Sequence, residues 1–263
     1  MKYVRHTAVA GLFYPADPQE LALLVDQLLD DAPAVEESEM PVALVAPHAG
    51  YVYSGPTAAA VYRRLRTWAP AITRVVIVGP AHRVPVHHLG LSSDDAFATP
   101  LGEIPIDLEV NRALLQNGAM IDNRAHQHEH SIEVQLPFLQ RVLGDGWSLV
   151  PIIAGSGSAT AIADALDGLW GRSGTLVVIS SDLSHYHDLH TARRLDRDTA
   201  ATIVSAAWEQ LGSDDACGAV PLRGALELAR RRGEHVSMVD LRTSADAAGS
   251  ADRVVGYGSF VVR

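Results

Sequence analysis

Three apolar runs, each closing on a histidine, limit what this chain can become. They are Val42-Ala-Leu-Val-Ala-Pro-His48, Arg74-Val-Val-Ile-Val-Gly-Pro-Ala-His82 and Thr175-Leu-Val-Val-Ile-Ser-Ser-Asp182-Leu-Ser-His185. None alternates polar with apolar residues, so each suits a strand covered on both faces, as in the parallel sheets of α/β proteins. In such sheets ligands bind beyond the carboxyl ends of the strands. The runs therefore predict a rim that carries His48, His82, Asp182 and His185 together.

The intervening segments read mainly as helices. Asp17-Pro18-Gln-Glu20 has the cap, first-turn proline and acid of a helix start, with apolar spacing through Leu29. Gly55-Pro56 predicts a helix over 57–66, Asp107 caps one ending at Gly118, and Ser131 is a cap for a helix over 132–143. Helices are also expected over 159–169, 191–211 and 221–231, and strands over 147–154, 236–241 and 254–262. The segment 88–105, with Gly90, Thr99-Pro100 and Gly102, reads as a hairpin, residues 5–16 as an ordered irregular arm, and the acidic stretch 30–39 as disordered. The alternation of strand and helix predicts one α/β domain over 1–263, a three-layer α/β/α sandwich around a mixed, mainly parallel sheet.

Composition removes several functions. A net charge of −10, without a basic stripe, argues against a nucleic-acid groove. The arginine patches at 63–66 and 230–232 fall at or near expected helix ends, where cations complement the dipole. Lys2 is the sole lysine, which leaves no lysine at a strand end for Schiff-base or P-loop chemistry. Cys217 is the sole cysteine, so neither an internal disulfide nor a Cys-x-x-Cys cage is available. With no signal-peptide pattern and no membrane-length apolar stretch, the expected setting is cytoplasmic, away from membranes.

The informative excess is histidine, twelve in all and mostly in expected loops. Imidazole is both the commonest metal ligand and the usual acid or base near neutrality. Several on one rim suggest a metal site with proton-transfer groups beside it, against the plainer reading of solvated loop residues. Cys217 has three readings: a soft metal ligand, a nucleophile activated by a neighbouring histidine, or a small buried side chain; a helix start would also lower its pKa. Asp182 and His185 suggest a carboxylate–imidazole pair, or a capped turn. His130 suits an acid/base role, with Glu129 and Ser131 managing the helix start. His87, His88, His126, His128, His187 and His190 read as solvated, and Tyr51 and Tyr53 as packing residues or a flat wall for an aromatic substrate.

Ala46-Pro-His48-Ala-Gly-Tyr51, Gly79-Pro-Ala-His82, Glu129-His-Ser-Ile-Glu133, Ser180-Ser-Asp182-Leu-Ser-His185 and Ala216-Cys217-Gly218, in that order, resemble the Memo family. Ala8-Val-Ala-Gly-Leu-Phe-Tyr-Pro15 and Gly256-Tyr-Gly258 match as well, so the likeness spans nearly the whole chain. The resemblance, whose bacterial and archaeal branch is called AmmeMemoRadiSam system protein B, implies a fold similar to class III extradiol dioxygenases. It implies His48, His82 and Cys217 as metal ligands, the thiolate standing where those dioxygenases carry glutamate, with His130, Asp182 and His185 as catalytic neighbours. Fe(II) is the implied metal, with Cu or Zn as softer alternatives. AMMECR-type and radical-SAM proteins are the implied partners, and a homo-oligomer is the default assembly. The resulting expectation is an iron-dependent oxidoreductase acting on a small molecule. The alternatives are a non-enzymatic binding module in the same cleft, or a zinc-dependent hydrolase.

Overall fold

The computed structural model describes residues 2–35, 39–247 and 249–263. Its strands are β1 (Val4–Arg5), β2 (Ala43–Ala46), β3 (Arg74–Gly79), β4 (Leu89–Leu91), β5 (Ala96–Thr99), β6 (Gly102–Pro105), β7 (Met120–Ile121), β8 (Ser148–Ala154), β9 (Thr175–Ser180), β10 (His185–His187), β11 (Val236–Thr243) and β12 (Val254–Val262). Its helices are α1 (Pro18–Asp31), α2 (Tyr51–Tyr62), α3 (Leu108–Gln116), α4 (Asn123–Gln127), α5 (Leu136–Leu143), α6 (Ala159–Asp167), α7 (Leu189–Val204) and α8 (Ala219–Arg232).

The main sheet runs β10-β12-β2-β9-β3-β8-β4-β7, with β11 also paired to β12. Its centre, β2-β9-β3-β8, is parallel. Antiparallel β12 and β4 flank that centre. Side chains along the central strands enter two cores alternately. Leu44, Val75, Ile77, Leu149, Leu176 and Val178 pack with α1, α2 and α5. Val45, Val76, Val78, Ile152, Val177 and Ile179 pack with α3, α6, α7 and α8. Both faces are covered, which is why the runs show no polar alternation. The result is the expected three-layer α/β/α arrangement around a mixed sheet. Among the described residues no helix is long and apolar enough to cross a membrane.

Where a short polar side chain caps the first turn, the expected helix start is the observed one. Asp17 accepts from the Gln19 and Glu20 amides. Asp107 accepts from Val110 and Ser158 from Ala161. Asp188 is the exception: it accepts from His190 and Thr191, so α7 starts at Leu189, two residues ahead of the expected 191. Elsewhere tertiary contacts override the local signals. Helix α2 begins at Tyr51, ahead of Pro56, which lies inside it. The Tyr51 amide donates to the Phe13 carbonyl at 2.8 Å, anchoring the earlier start. Ser131 caps nothing, because its hydroxyl donates to the Pro80 carbonyl at 2.9 Å. Residues 133–135 form a 3-10 turn, and α5 starts only at Leu136 with Pro137 in its first turn. Helix α7 stops at Val204, two residues before Ala206 takes a positive φ of 50°. The expected hairpin is β5-β6, which joins β1 in a separate three-stranded sheet, while β4 leaves it for the main sheet. Of the acidic stretch, 30–31 belong to α1, and 36–38 lie outside the described residues.

The N-terminal arm is held by one buried carboxylate. Glu133 pairs with Arg5, both side chains nearly inaccessible. It also accepts from the Ala8 and Val9 amides at 2.7 and 3.0 Å and from the Tyr14 hydroxyl at 2.5 Å. Arg5 continues to the carbonyls of His126 and Glu129. Removing one partner of a buried pair strands the other charge, at a cost of about 3 to 5 kcal/mol. Glu133→Gln is therefore expected to lower the urea midpoint by an amount corresponding to that range. A change under about 1 kcal/mol would show that the pair is dispensable.

His126, expected to be solvated, is buried, with its Nε2 donating to the Gly90 carbonyl at 3.0 Å. Burial outweighs that hydrogen bond and pushes its pKa down to about 4. The unfolded chain protonates this ring near pH 6.5, before the folded one does. The stabilisation is thus complete above pH 6.5 and lost as pH falls through 4, about 3 kcal/mol in all. Urea titrations between pH 7 and 4 should show His126→Gln with a shallower loss than the parent; parallel profiles would contradict this.

Candidate metal centre

The parallel strands β2 and β3 lie on either side of β9, so all three end on one rim. Just past those ends, Pro47 and Pro80 break the ladders, and His48 and His82 follow. Their rings lean inward until the centroids are 5.1 Å apart. His130 arrives from the loop after α4, with its ring 4.7 Å from His82 and 5.4 Å from His48. Each of the three offers a ring nitrogen within 4.8 Å of the others.

Hydrogen bonds set the tautomers. Ser180 Oγ donates its one proton to the Ser131 carbonyl at 2.6 Å and accepts from Gln135 Nε2 at 2.8 Å. Its 2.8 Å contact with His48 Nδ1 must therefore be a bond donated by the imidazole. That leaves the His48 Nε2 lone pair facing the centre. Gln135 is itself fixed by the Tyr62 hydroxyl at 2.8 Å and the Pro47 carbonyl at 3.0 Å. Likewise His82 Nδ1 donates to Glu129 Oε1 at 2.9 Å, leaving its Nε2 free. His130 Nδ1 lies 3.2 Å from the same oxygen but is buried without a hydrogen-bond partner.

Glu129 is the shared acceptor. It takes the His82 amide at 2.6 Å and the His130 and Ser131 amides at 2.8 and 2.9 Å, besides the His82 ring. Burial works to raise its pKa, but the bonds from His130 and His82 prevail and hold it well below the usual carboxylate range. His48 is pushed well below its ordinary value by burial, reinforced by His130 and His82. The centre thus combines neutral imidazole with a fixed anion behind two of the rings.

Cys217 sits in the loop before α8, with Sγ 3.2 Å from His48 Nε2 and accepting the Asp182 amide at 3.2 Å. Gly218 allows this approach: a Cβ there would meet the Ser180 carbonyl and Ser181 side chain at 2.7 Å. Burial, then the nearby Asp182 charge, pushes the thiol up. Burial thus outweighs the lowering expected at a helix start. Asp182 Oδ1 accepts the His48 amide at 2.7 Å, and burial raises its carboxyl despite that bond. His185 Nδ1 donates to the Leu183 carbonyl at 2.8 Å, so the loop's own backbone orients that ring.

Two clefts reach this centre. One of about 520 Å³ is lined by Phe13, Tyr53, His130, Asp182, His185 and Tyr257. The other, about 620 Å³, is lined by His82, Cys217, Asp214 and Asp215, and again by His185. Tyr51 packs, its hydroxyl on the Val134 carbonyl and its ring on Phe138. His87, His128, His187 and His190 are exposed, as expected. Reading the sequence alone missed Ser180 and Gln135, and left Glu129 as a helix-start residue. Glu129 and Ser180 both lie inside motifs already singled out; Gln135 carries no local signal.

Three imidazoles offering ring nitrogens within 4.8 Å of one another, with a soft sulfur beside His48, fit a transition-metal ion. The Memo-like protein family model matches residues 5–261. A MEMO1 family protein of Aquifex aeolicus is 36% identical over 270 residues, covering 97% of each chain. One from Archaeoglobus fulgidus is 36% identical over 274 residues, covering 99% of this chain and all of its own. A crystal structure of an uncharacterized Escherichia coli protein superposes with a TM-score of 0.54 at 15% identity, covering 83% of this chain and 99% of that one, which speaks to the fold alone.

Residues that orient metal ligands typically matter 10- to 100-fold in affinity. Glu129→Gln removes the charge behind the His82 ring and one of the two accepting oxygens, and is expected to weaken metal binding by about 10- to 100-fold. Competition with a chromophoric chelator measures this; unchanged affinity would remove Glu129 from the centre.

Proposed function

Because this chain belongs to the Memo family, we propose that it is a metal-dependent oxidoreductase of small molecules built on His48, His82 and Cys217. The carrying observation is the convergence of His48 and His82 from two strand ends, each with its Nδ1 engaged by a hydrogen-bond partner, which leaves Nε2 for a ligand. Cys217 Sγ, 3.2 Å from His48 Nε2, is the third donor. Bound Fe(II) would supply one-electron chemistry and open positions for dioxygen, and a thiolate ligand also suits Cu or Zn.

The remaining residues manage the substrate and its protons. His130 and His185 face the 520 Å³ cleft, and His185 Nε2 is free because Nδ1 is committed to Leu183. His185 is the group to exchange a proton with a bound molecule. Asp182 holds the His48 backbone in place and, through its own amide, the Cys217 sulfur. Its role is positioning. The grouping of three imidazoles favours a second ligand set, in which His130 replaces Cys217.

Metal analysis of anaerobically purified protein separates these assignments. About one iron per chain is expected in the parent, lost in His48→Ala, His82→Ala and Cys217→Ser, and retained in His130→Gln. Loss in His130→Gln with retention in Cys217→Ser would select the three-histidine set. No metal after anaerobic reconstitution would overturn the reading. Iron-loaded protein should consume oxygen with a suitable small substrate, and His185→Gln should lower that rate by about 100-fold or more while leaving iron content intact.

A further inference from the structure

The cleft that carries His130 and His185 is also lined by residues that the metal centre does not use. Tyr186, Arg253 and Tyr53 stand there. Tyr186 has a φ of 65° where β10 breaks register against β12 between His185 and His187. A tyrosine in the left-handed region is strained, and such strain persists only where the surroundings impose it. Its effect is to leave the ring 64% exposed. The Arg253 guanidinium lies 5.0 Å from the centroid of that ring.

Arg253 is exposed, and among the described residues it enters no ion pair. Among the described residues the one carboxylate lining the cleft, Asp182, accepts the His48 amide. In a chain of net charge −10, the cleft thus keeps a cation without an ion-pair partner, placed over an aromatic ring. The planar guanidinium group matches a carboxylate with two parallel hydrogen bonds. A phosphate dianion is ordinarily met by a cluster of arginines, and only one lines this cleft.

We propose that Tyr186 and Arg253 are the substrate-recognition end of the cleft and select a planar, conjugated monocarboxylate. The carboxylate lies on Arg253, the plane lies against Tyr186 and Tyr53, and the far end points toward His130 and His185. This assignment rests on the metal-dependent reading only for which end of the molecule reacts.

Calorimetric or saturation-transfer titration with benzoate and its neutral isostere benzamide tests the clamp, on the full chain with and without metal. Benzoate should bind about 10-fold tighter than benzamide, the scale of one charge-assisted pair. Arg253→Leu should bring that ratio to about one and Arg253→Lys should keep part of it. Tyr186→Gly relieves the backbone strain, so it should raise the melting temperature while weakening benzoate, a combination that a purely structural role would not produce. Equal binding of the two probes, no binding of either at millimolar concentration, or a preference that survives Arg253→Leu would overturn the proposal. So would a tighter, Arg253-dependent binding of phenyl phosphate. A preference seen only in metal-loaded protein and indifferent to Arg253 would place the carboxylate on the metal and overturn it too. Absence of metal from the parent, with the Arg253-dependent preference intact, would overturn the metal reading and leave the clamp standing.

Discussion

Glu129 must stay ionised inside the rim of the sheet, and much of the centre's order follows from how that is achieved. Its two oxygens accept four N–H groups, from the His82 amide and ring and from the His130 and Ser131 amides. An isolated buried carboxylate would instead take up a proton. The same bonds align two imidazoles that arrive from different parts of the chain. Arg5 binds the Glu129 carbonyl and pairs with Glu133, so the N-terminal arm is tied to the same segment. The 129–133 turn is therefore both the brace of the site and the anchor of the arm.

The fold supplies the remaining geometry through strand order. His48 and His82 follow strands separated by β9, whose own last residue, Ser180, lies beneath the His48 ring. Neighbouring strands are about 4.8 Å apart, so two imidazoles from strands two places apart meet only by leaning over the strand between. Gly79 belongs to the same packing, since a Cβ there would come within 2.5 Å of Ser131 Oγ. Loop 216–218 closes over this rim and brings the thiol beside His48.

Legibility varied with the range of the interaction. The central strands were plain because both of their faces are buried, which leaves a continuous apolar run. Helices opened by Asp17 and Asp107 were plain because a cap is satisfied within three residues. Helices α2 and α5 were misjudged at their starts, since Tyr51 is anchored by Phe13 and Ser131 is drawn to Pro80. His126 read as a solvated loop residue, yet it is enclosed through its bond to Gly90 in another strand and its edge contact with Phe97.

By itself, beyond what the Memo resemblance implied for His130 and Cys217, the sequence determined the layered α/β architecture and the rim on which His48, His82, Asp182 and His185 sit. Those follow from side-chain periodicity and strand ends, which are local properties of the chain. Only the tertiary structure decided which nitrogen of each imidazole is free, that Glu129 and not Asp182 braces a ring, and that the thiol is held up in pKa rather than down. Each of these depends on the position of one hydrogen-bond partner or on burial, and residues as far apart as Cys217 and His48 acquire their neighbours only when the whole sheet is assembled.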